Sequence, residues 1–190
     1  MSVSARIAAA FGLAAAVFLS ACATAPQQAS LGAGDYALTG RVLVRQADRA
    51  DVLRLNWTHL GVRDTVRLET PLGQTVAELQ LDPLRAHVQL GDGRAFEAAD
   101  DVVLAEQVIG VPLPLRQFAG WLRAEPGATA AGIERDADAR IVSMRDSGWL
   151  LSYSGYGSVD SVAGPSLIEA KQGDVVVRVK IESWLHGAVE

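Results

Sequence analysis

Between residues 53 and 90 the chain reads Leu53-Arg54-Leu55-Asn56-Trp57, then Val66-Arg67-Leu68-Glu69, then Ala77-Glu78-Leu79-Gln80-Leu81, then Ala86-His87-Val88-Gln89-Leu90. In each run the apolar residues fall on every second position. Successive side chains of a strand point to opposite faces, so this alternation predicts strands with one buried and one wetted face. Gly61, Pro71-Leu72-Gly73, Asp82-Pro83 and Gly91-Asp92-Gly93 separate the runs with turn-forming residues. The stretch is therefore an antiparallel meander with one apolar face.

Downstream the period changes. Asp100 and Asp101 are helix-start residues ahead of an apolar run at 102–109, and Gly110 is a helix stop. Adjacent carboxylates at that place read as a cap and a partner for the helix dipole rather than as a catalytic acid pair. Pro112 and Pro114 break the chain, and a second short helix is expected over 115–123 with Leu115, Phe118 and Leu122 on one side. Strands resume at 139–145, 149–154, 166–171 and 175–184. Helices set between two runs of antiparallel strands predict an α+β fold, in which a curved sheet carries short helices over its apolar face.

The beginning of the chain has another character. Arg6 is the only charged side chain among the first 21 residues, and 7–19 is wholly apolar or small. That run is shorter than the roughly 18–20 residues needed to span a bilayer, so it reads as a cleaved signal. The sole cysteine, Cys22, follows Leu19-Ser20-Ala21, a pattern that resembles the lipobox of bacterial lipoproteins. Cys22 is the expected lipidation site. Ala23 stands where, in the sorting pattern of enterobacteria, an Asp resembles a signal for retention in the inner membrane. The stretch from Ala23 to Gly34 is small and polar and is expected to be a tether. The organisation expected is a signal at 1–21, a lipidated tether at 22–35 and one domain at 36–190.

Composition closes other routes. At 190 residues with 49% hydrophobic content the chain can build one sizeable core. A net charge of -5 without a basic cluster argues against nucleic acid as a partner. With a single Cys the mature domain has no internal disulfide. His59, His87 and His186 lie in no metal-ligand spacing and are expected to be surface histidines. Gly155-Tyr156-Gly157-Ser158-Val159 lacks the last glycine of a nucleophile elbow. No catalytic, metal or cofactor site is expected.

Gly110-Val111-Pro112-Leu113-Pro114-Leu115, followed by Phe118, Trp121-Leu122 and Pro126-Gly127, resembles the LolB family of outer-membrane lipoprotein receptors. Further matching pieces are Asn56-Trp57, Thr70-Pro71-Leu72-Gly73-Gln74, Trp149 with Tyr153-Ser154-Gly155-Tyr156, and Val179-Lys180-Ile181-Glu182-Ser183-Trp184. The resemblance covers nearly all of the mature domain. It implies an incomplete antiparallel barrel whose helices lid a hydrophobic cavity for the acyl chains of a client lipoprotein. It also implies a soluble periplasmic carrier of LolA-like fold as donor and outer-membrane lipid as acceptor, with the protein acting as a lipid-anchored monomer facing the periplasm.

Cavity-lining candidates are Leu53, Leu55, Val66, Leu68, Leu79 and Val88 from the sheet, with Val108, Leu113, Leu115 and Phe118 from the lid. Alternation marks a buried face and does not show that the face is hollow. Within the Pro71-Leu72-Gly73 turn, the residues alone leave Leu72 either exposed or folded onto the core; the resemblance implies that it projects into solvent and promotes membrane delivery. The family's chains commonly carry a Trp-containing amphipathic helix before the first strand, whereas here an Ala/Gly/Gln-rich segment occupies that place. A lipid-anchored assembly protein holding a partner on the same half-barrel is the alternative function, and a lipid hydrolase is disfavoured by the missing nucleophile.

Overall fold

The computed structural model describes residues 31–157 and 164–187; the expected signal, Cys22 and most of the expected tether lie outside them. The chain forms β1 (Tyr36–Gln46), β2 (Arg49–Leu60), β3 (Arg63–Glu69), β4 (Thr75–Leu81), β5 (Ala86–Leu90) and β6 (Ala95–Ala98), then α1 (Asp101–Ile109) and α2 (Leu115–Leu122). It returns through β7 (Ala131–Arg135), β8 (Ile141–Asp146), β9 (Trp149–Ser154), β10 (Leu167–Gln172) and β11 (Val175–His186). All eleven strands belong to one sheet of order β6-β5-β4-β3-β2-β1-β11-β10-β9-β8-β7. The pairings are antiparallel. The sheet is an open barrel with β6 and β7 as its edges. The two helices are the segment that connects those edges.

The alternation maps onto this sheet as read. Leu55, Trp57, Val66, Leu68, Ala77, Leu79, Leu81, Ala86 and Val88 are buried, and they join one core with Leu104, Leu115, Phe118, Trp121 and Leu122 from the helices. Between β1 and β11 the ladder shifts at Thr39/Gly40. There the backbone of Lys180 comes so close that a side-chain carbon at position 40 would lie 2.3 Å from its carbonyl oxygen, which leaves room for glycine only.

Helix ends follow the expected chemistry. Asp100 caps α1 by accepting from the Val102 amide at 2.8 Å, and Gly110 closes it with its own amide on the Glu106 carbonyl. The expected second helix stops at Leu122, one residue short, where Arg123 donates to the Gly120 carbonyl and turns the chain. The strand expected at 139–145 begins later, at Ile141. The Asp136 carboxylate takes the amides of Asp138 and Arg140, each at 3.0 Å, so 136–140 is a tight turn. β1, β6 and β7 had no counterpart among the runs read from sequence; β6 has four residues and β7 is exposed throughout.

The strand register defines two ends of the sheet. The near end holds the start of β1, the finish of β11 and the β2–β3 and β4–β5 turns. The far end holds the β1–β2, β3–β4 and β5–β6 turns.

Candidate functional site

A cavity of about 40 Å³ lies between the sheet and the helices, lined by carbon alone. Val42 and Val44 of β1, Leu55 and Trp57 of β2, Val66 and Leu68 of β3, Leu79 of β4 and Val177 of β11 form its floor. Ala105, Val108 and Ile109 of α1, Leu113 of the connecting strap, and Leu115 and Phe118 of α2 form its roof. Eight of the ten residues proposed from sequence therefore meet at the wall. Val88 does not. It is fully buried, but its strand neighbours Leu79 and Phe96 and the overlying α1 fill the space around it. Leu53 is also outside; it is half-buried and borders a separate groove with Arg41, Val52, Arg54, Pro71 and Glu182. Val42, Val44, Trp57, Ala105, Ile109 and Val177 escaped the sequence reading, although Trp57 shares the face of Leu55.

The cavity lies toward the far end. Val44 and Ile109 also border a shallow notch with Gln46, Arg49, Asp51, Gly110 and Val111, next to the β1–β2 turn. At the near end an aromatic plug occupies the corresponding space. Tyr36 stacks on His59 at 5.1 Å, packs against Trp184 at 5.7 Å and lies under the Arg123 guanidinium at 4.9 Å. Its hydroxyl donates to the Ala119 carbonyl of α2 at 3.1 Å. Burial, with the nearby Asp64 carboxylate, pushes the Tyr36 phenol far above its ordinary value, so it remains a donor. His59 is not the surface histidine expected from sequence: it hydrogen-bonds through Nδ1 to Asp64 at 2.9 Å with little of its ring exposed.

Two buried carboxylates fix the walls. Asp64 accepts from the Trp57 indole at 2.6 Å. Asp146, just 1% exposed, accepts from the Trp121 indole and the Gly127 amide, both at 3.0 Å, and from the Thr129 hydroxyl. Burial alone would raise the Asp146 carboxyl, but hydrogen bonds from Thr129, Trp121, Gly127 and Gln117 outweigh it and hold its pKa below the usual value. Trp57, Phe118, Trp121 and Trp149 form a continuous chain of rings at 6.1, 6.0 and 6.3 Å, joining β2 to β9 through α2. Edge and tilted contacts of this kind add to burial. Thus α2 is fixed to both flanks of the sheet.

The lid helix α1 is held differently. Asp101 in its first turn pairs with Arg116 at 2.6 Å, and the same guanidinium donates to the Asp82 carbonyl at 2.8 Å. Beyond that corner only Leu104 and Ala105 of α1 are fully buried, against five residues of α2.

The β3–β4 turn points toward the far end but leaves the sheet level with Arg54 of β2, about five residues short of the β1–β2 turn that borders the notch. Its backbone is closed by Thr70 N to Gln74 O at 2.8 Å and Gly73 N to Thr70 O at 2.9 Å, with Gly73 at φ 86°, a conformation that favours glycine. Between Pro71 and Gly73, Leu72 is 91% exposed. Among the described residues no three His, Cys, Asp or Glu side chains converge where a metal ion could sit, and no helix is long and apolar enough to cross a membrane.

The domain is thus an open half-barrel with a small all-carbon cavity beneath a thinly held helical lid. The comparisons with known proteins agree. A family profile described as "Outer membrane lipoprotein LolB" matches residues 34–184. The chain belongs to the LolB family of outer-membrane lipoproteins. It is 33% identical to the Outer-membrane lipoprotein LolB of Chromobacterium violaceum, covering 90% of this chain and 96% of that one. It is 30% identical to that of Azoarcus sp. strain BH72, covering 94% and 95%. Among solved structures it shares the fold of a LolA superfamily protein from Nitrosomonas europaea, with a TM-score of 0.52, 8% identity and coverage of 82% and 87%.

Proposed function

We propose that this outer-membrane lipoprotein takes the acyl chains of client lipoproteins from a soluble LolA-like carrier into the cavity beneath α1 and passes them to the outer membrane. The observation that carries the reading is the cavity wall, apolar at every position, in a chain of the LolB family. Each methylene kept from water is worth about 0.8 kcal/mol, so acyl chains cross the periplasm only between one apolar shelter and the next. Transfer of this kind breaks no covalent bond and calls for no catalytic group.

A cavity of about 40 Å³ has room for only a few water-sized groups. Ligand pockets run to about 300–1,000 Å³, so an acyl chain enters by displacing the lid. The element that yields is α1, which buries two residues where α2 buries five. It swings from the Asp101–Arg116 corner and opens at Val108 and Ile109, beside the far-end notch. Leu72, exposed at that end, is the group that meets the acceptor membrane. The anchor is Cys22, after removal of residues 1–21, with residues 22–35 as the tether.

The test is transfer. A Cys22→Ala chain lacking residues 1–21 is mixed with carrier loaded with a radiolabelled lipoprotein, and the label is followed between the two proteins. Movement of unmodified lipoprotein onto this chain is expected, and a Leu55→Glu variant should take none. Retention of the label by the carrier, with a correctly folded recipient, would refute the receptor reading.

A further inference from the structure

Eight large hydrophobic side chains are exposed among the described residues, and four of them crowd the near end: Leu60 at 39%, Val62 at 68%, Leu84 at 79% and Leu185 at 62%. Val62 is in the β2–β3 turn and Leu84 in the β4–β5 turn, two strands apart in the sheet. At about 4.8 Å per strand this separates the two tips by roughly 10 Å. Leu185 lies one pairing from the end of β11, level with Ala37 of β1, which in turn faces Thr58 of β2.

The turns do not need these side chains. Gly61 supplies the left-handed conformation of the first, and in the second the Asp82 carboxylate takes the amides of Leu84 and Arg85 at 2.8 and 2.9 Å. Positions 62 and 84 are free to carry polar residues, yet both are apolar and point away from the core.

The anchor proposed at Cys22 points to what covers them. The described chain enters at this same end: Asp35 accepts from the Gly61 amide at 2.7 Å, and the Gly187 amide donates to the Asp35 carbonyl at 3.0 Å. Cys22 precedes Leu31 by nine residues. Nine residues, fully extended, reach about 30 Å, so the near end cannot stray further than that from the lipid that holds Cys22. Leu72 is at the opposite end, beyond the seven residues of β3, about 25 Å further along the sheet. Arg63 beside Val62 adds a cationic group suited to lipid phosphates.

We propose that Val62, Leu84 and Leu185 form a bilayer-docking rim, separate from the Leu72 tip, which seats the near end on the membrane that carries the anchor. Seated this way, the protein turns its cavity notch and Leu72 toward the periplasm, where a loaded carrier arrives. Delivery then requires the domain to tip over within the reach of its tether. The inference rests on the proposed function for the Cys22 anchor and for the role of Leu72.

The lipidated chain offers a clean test, because Cys22 carries lipid and an introduced cysteine is then the sole free thiol. Leu84→Cys and Leu72→Cys chains, each labelled with an environment-sensitive dye, are placed in vesicles of phosphatidylethanolamine and phosphatidylglycerol with a quencher on the acyl chains. Without client, the dye at position 84 should show blue-shifted emission and lose intensity to the quencher, while the dye at position 72 should keep aqueous emission. Adding Val62→Asp and Leu185→Asp to the Leu84→Cys chain should abolish the blue shift. An aqueous dye at position 84, or one shielded only after the carrier is added, would overturn the membrane rim. Client uptake from the carrier, scored on the same vesicles, reports separately on the receptor function.

Discussion

Replacing Leu72 by Asp separates delivery from everything else the domain does. The side chain is 91% exposed, and the hydrogen bonds that close its turn, Thr70 to Gln74 and Gly73 to Thr70, run through the backbone. Folding stability should therefore change by less than about 0.5 kcal/mol, or about 1–2 °C in Tm for a domain of this size. Acceptance of a client should be unaffected, because Leu72 is no part of the cavity wall. Contact with the bilayer is another matter. At the centre of a membrane, Leu is favourable by about 0.3–0.6 kcal/mol and Asp unfavourable by about 2.5–3.5, a difference of about 3 kcal/mol. A tip that reaches only the interface feels part of this, so delivery should slow by between about tenfold and a hundredfold. The assay loads the Cys22→Ala domain with a labelled lipoprotein, adds vesicles and follows the label into the lipid, alongside a thermal melt of the same preparation. A fall of many degrees in Tm would show that Leu72 supports packing. Undiminished delivery at unchanged Tm would show that another part of the surface meets the membrane.

Binding of detergents to the domain should strengthen about fourfold per added methylene, as read by calorimetry, and Leu55→Glu, at a position 3% exposed, should abolish it by placing an unpaired charge on the cavity floor. Phe118→Ala should destabilise the domain by about 3–5 kcal/mol in urea unfolding, because Phe118 is 2% exposed and links Trp57 to Trp121. The folded Asp146 carboxyl titrates below its unfolded value near 3.8, so its stabilisation is complete above that pH and is lost as pH falls through the folded value. Asp146→Asn should cost about 2 kcal/mol at pH 7 and flatten the acid end of the stability profile, and an unchanged profile would remove Asp146 from the account.

Much of this architecture is legible in the amino-acid order because it depends on local rules. Strands β2 to β5 alternate cleanly, and α1 has Asp100 before it and Gly110 after it. β7 was invisible for a physical reason: each of its side chains is exposed, so no burial selects its residues. The cavity was half visible. Alternation identified the faces of Leu55, Val66, Leu68 and Leu79, but the pairing of β1 with β11 joins the two ends of the domain and brings Val42, Val44 and Val177 to the same wall. Val88 shows the converse, since a perfect alternating position can be filled around as easily as left hollow. The buried carboxylates carried no warning either. Asp64 and Asp146 look like ordinary turn-adjacent acids until folding sets an indole N–H against each of them.

The edge at β7 has a bearing on life at a membrane. Its ladder to β8 slips on both sides of Glu134, so that only Ala131, Glu134 and Arg135 find partners at Arg145, Ser143 and Ile141. The other edge, β6, is four residues long and carries Glu97 paired with Arg85. An acylated protein diffuses in a plane, where copies collide far more often than the same number in solution. A straight, regular edge under those conditions is a template for chain-to-chain polymerisation. A crooked edge on one side and a short, charged one on the other give neighbouring copies no continuous row of amides to share. Crowding in the leaflet then leaves each half-barrel a separate vessel with its own lid.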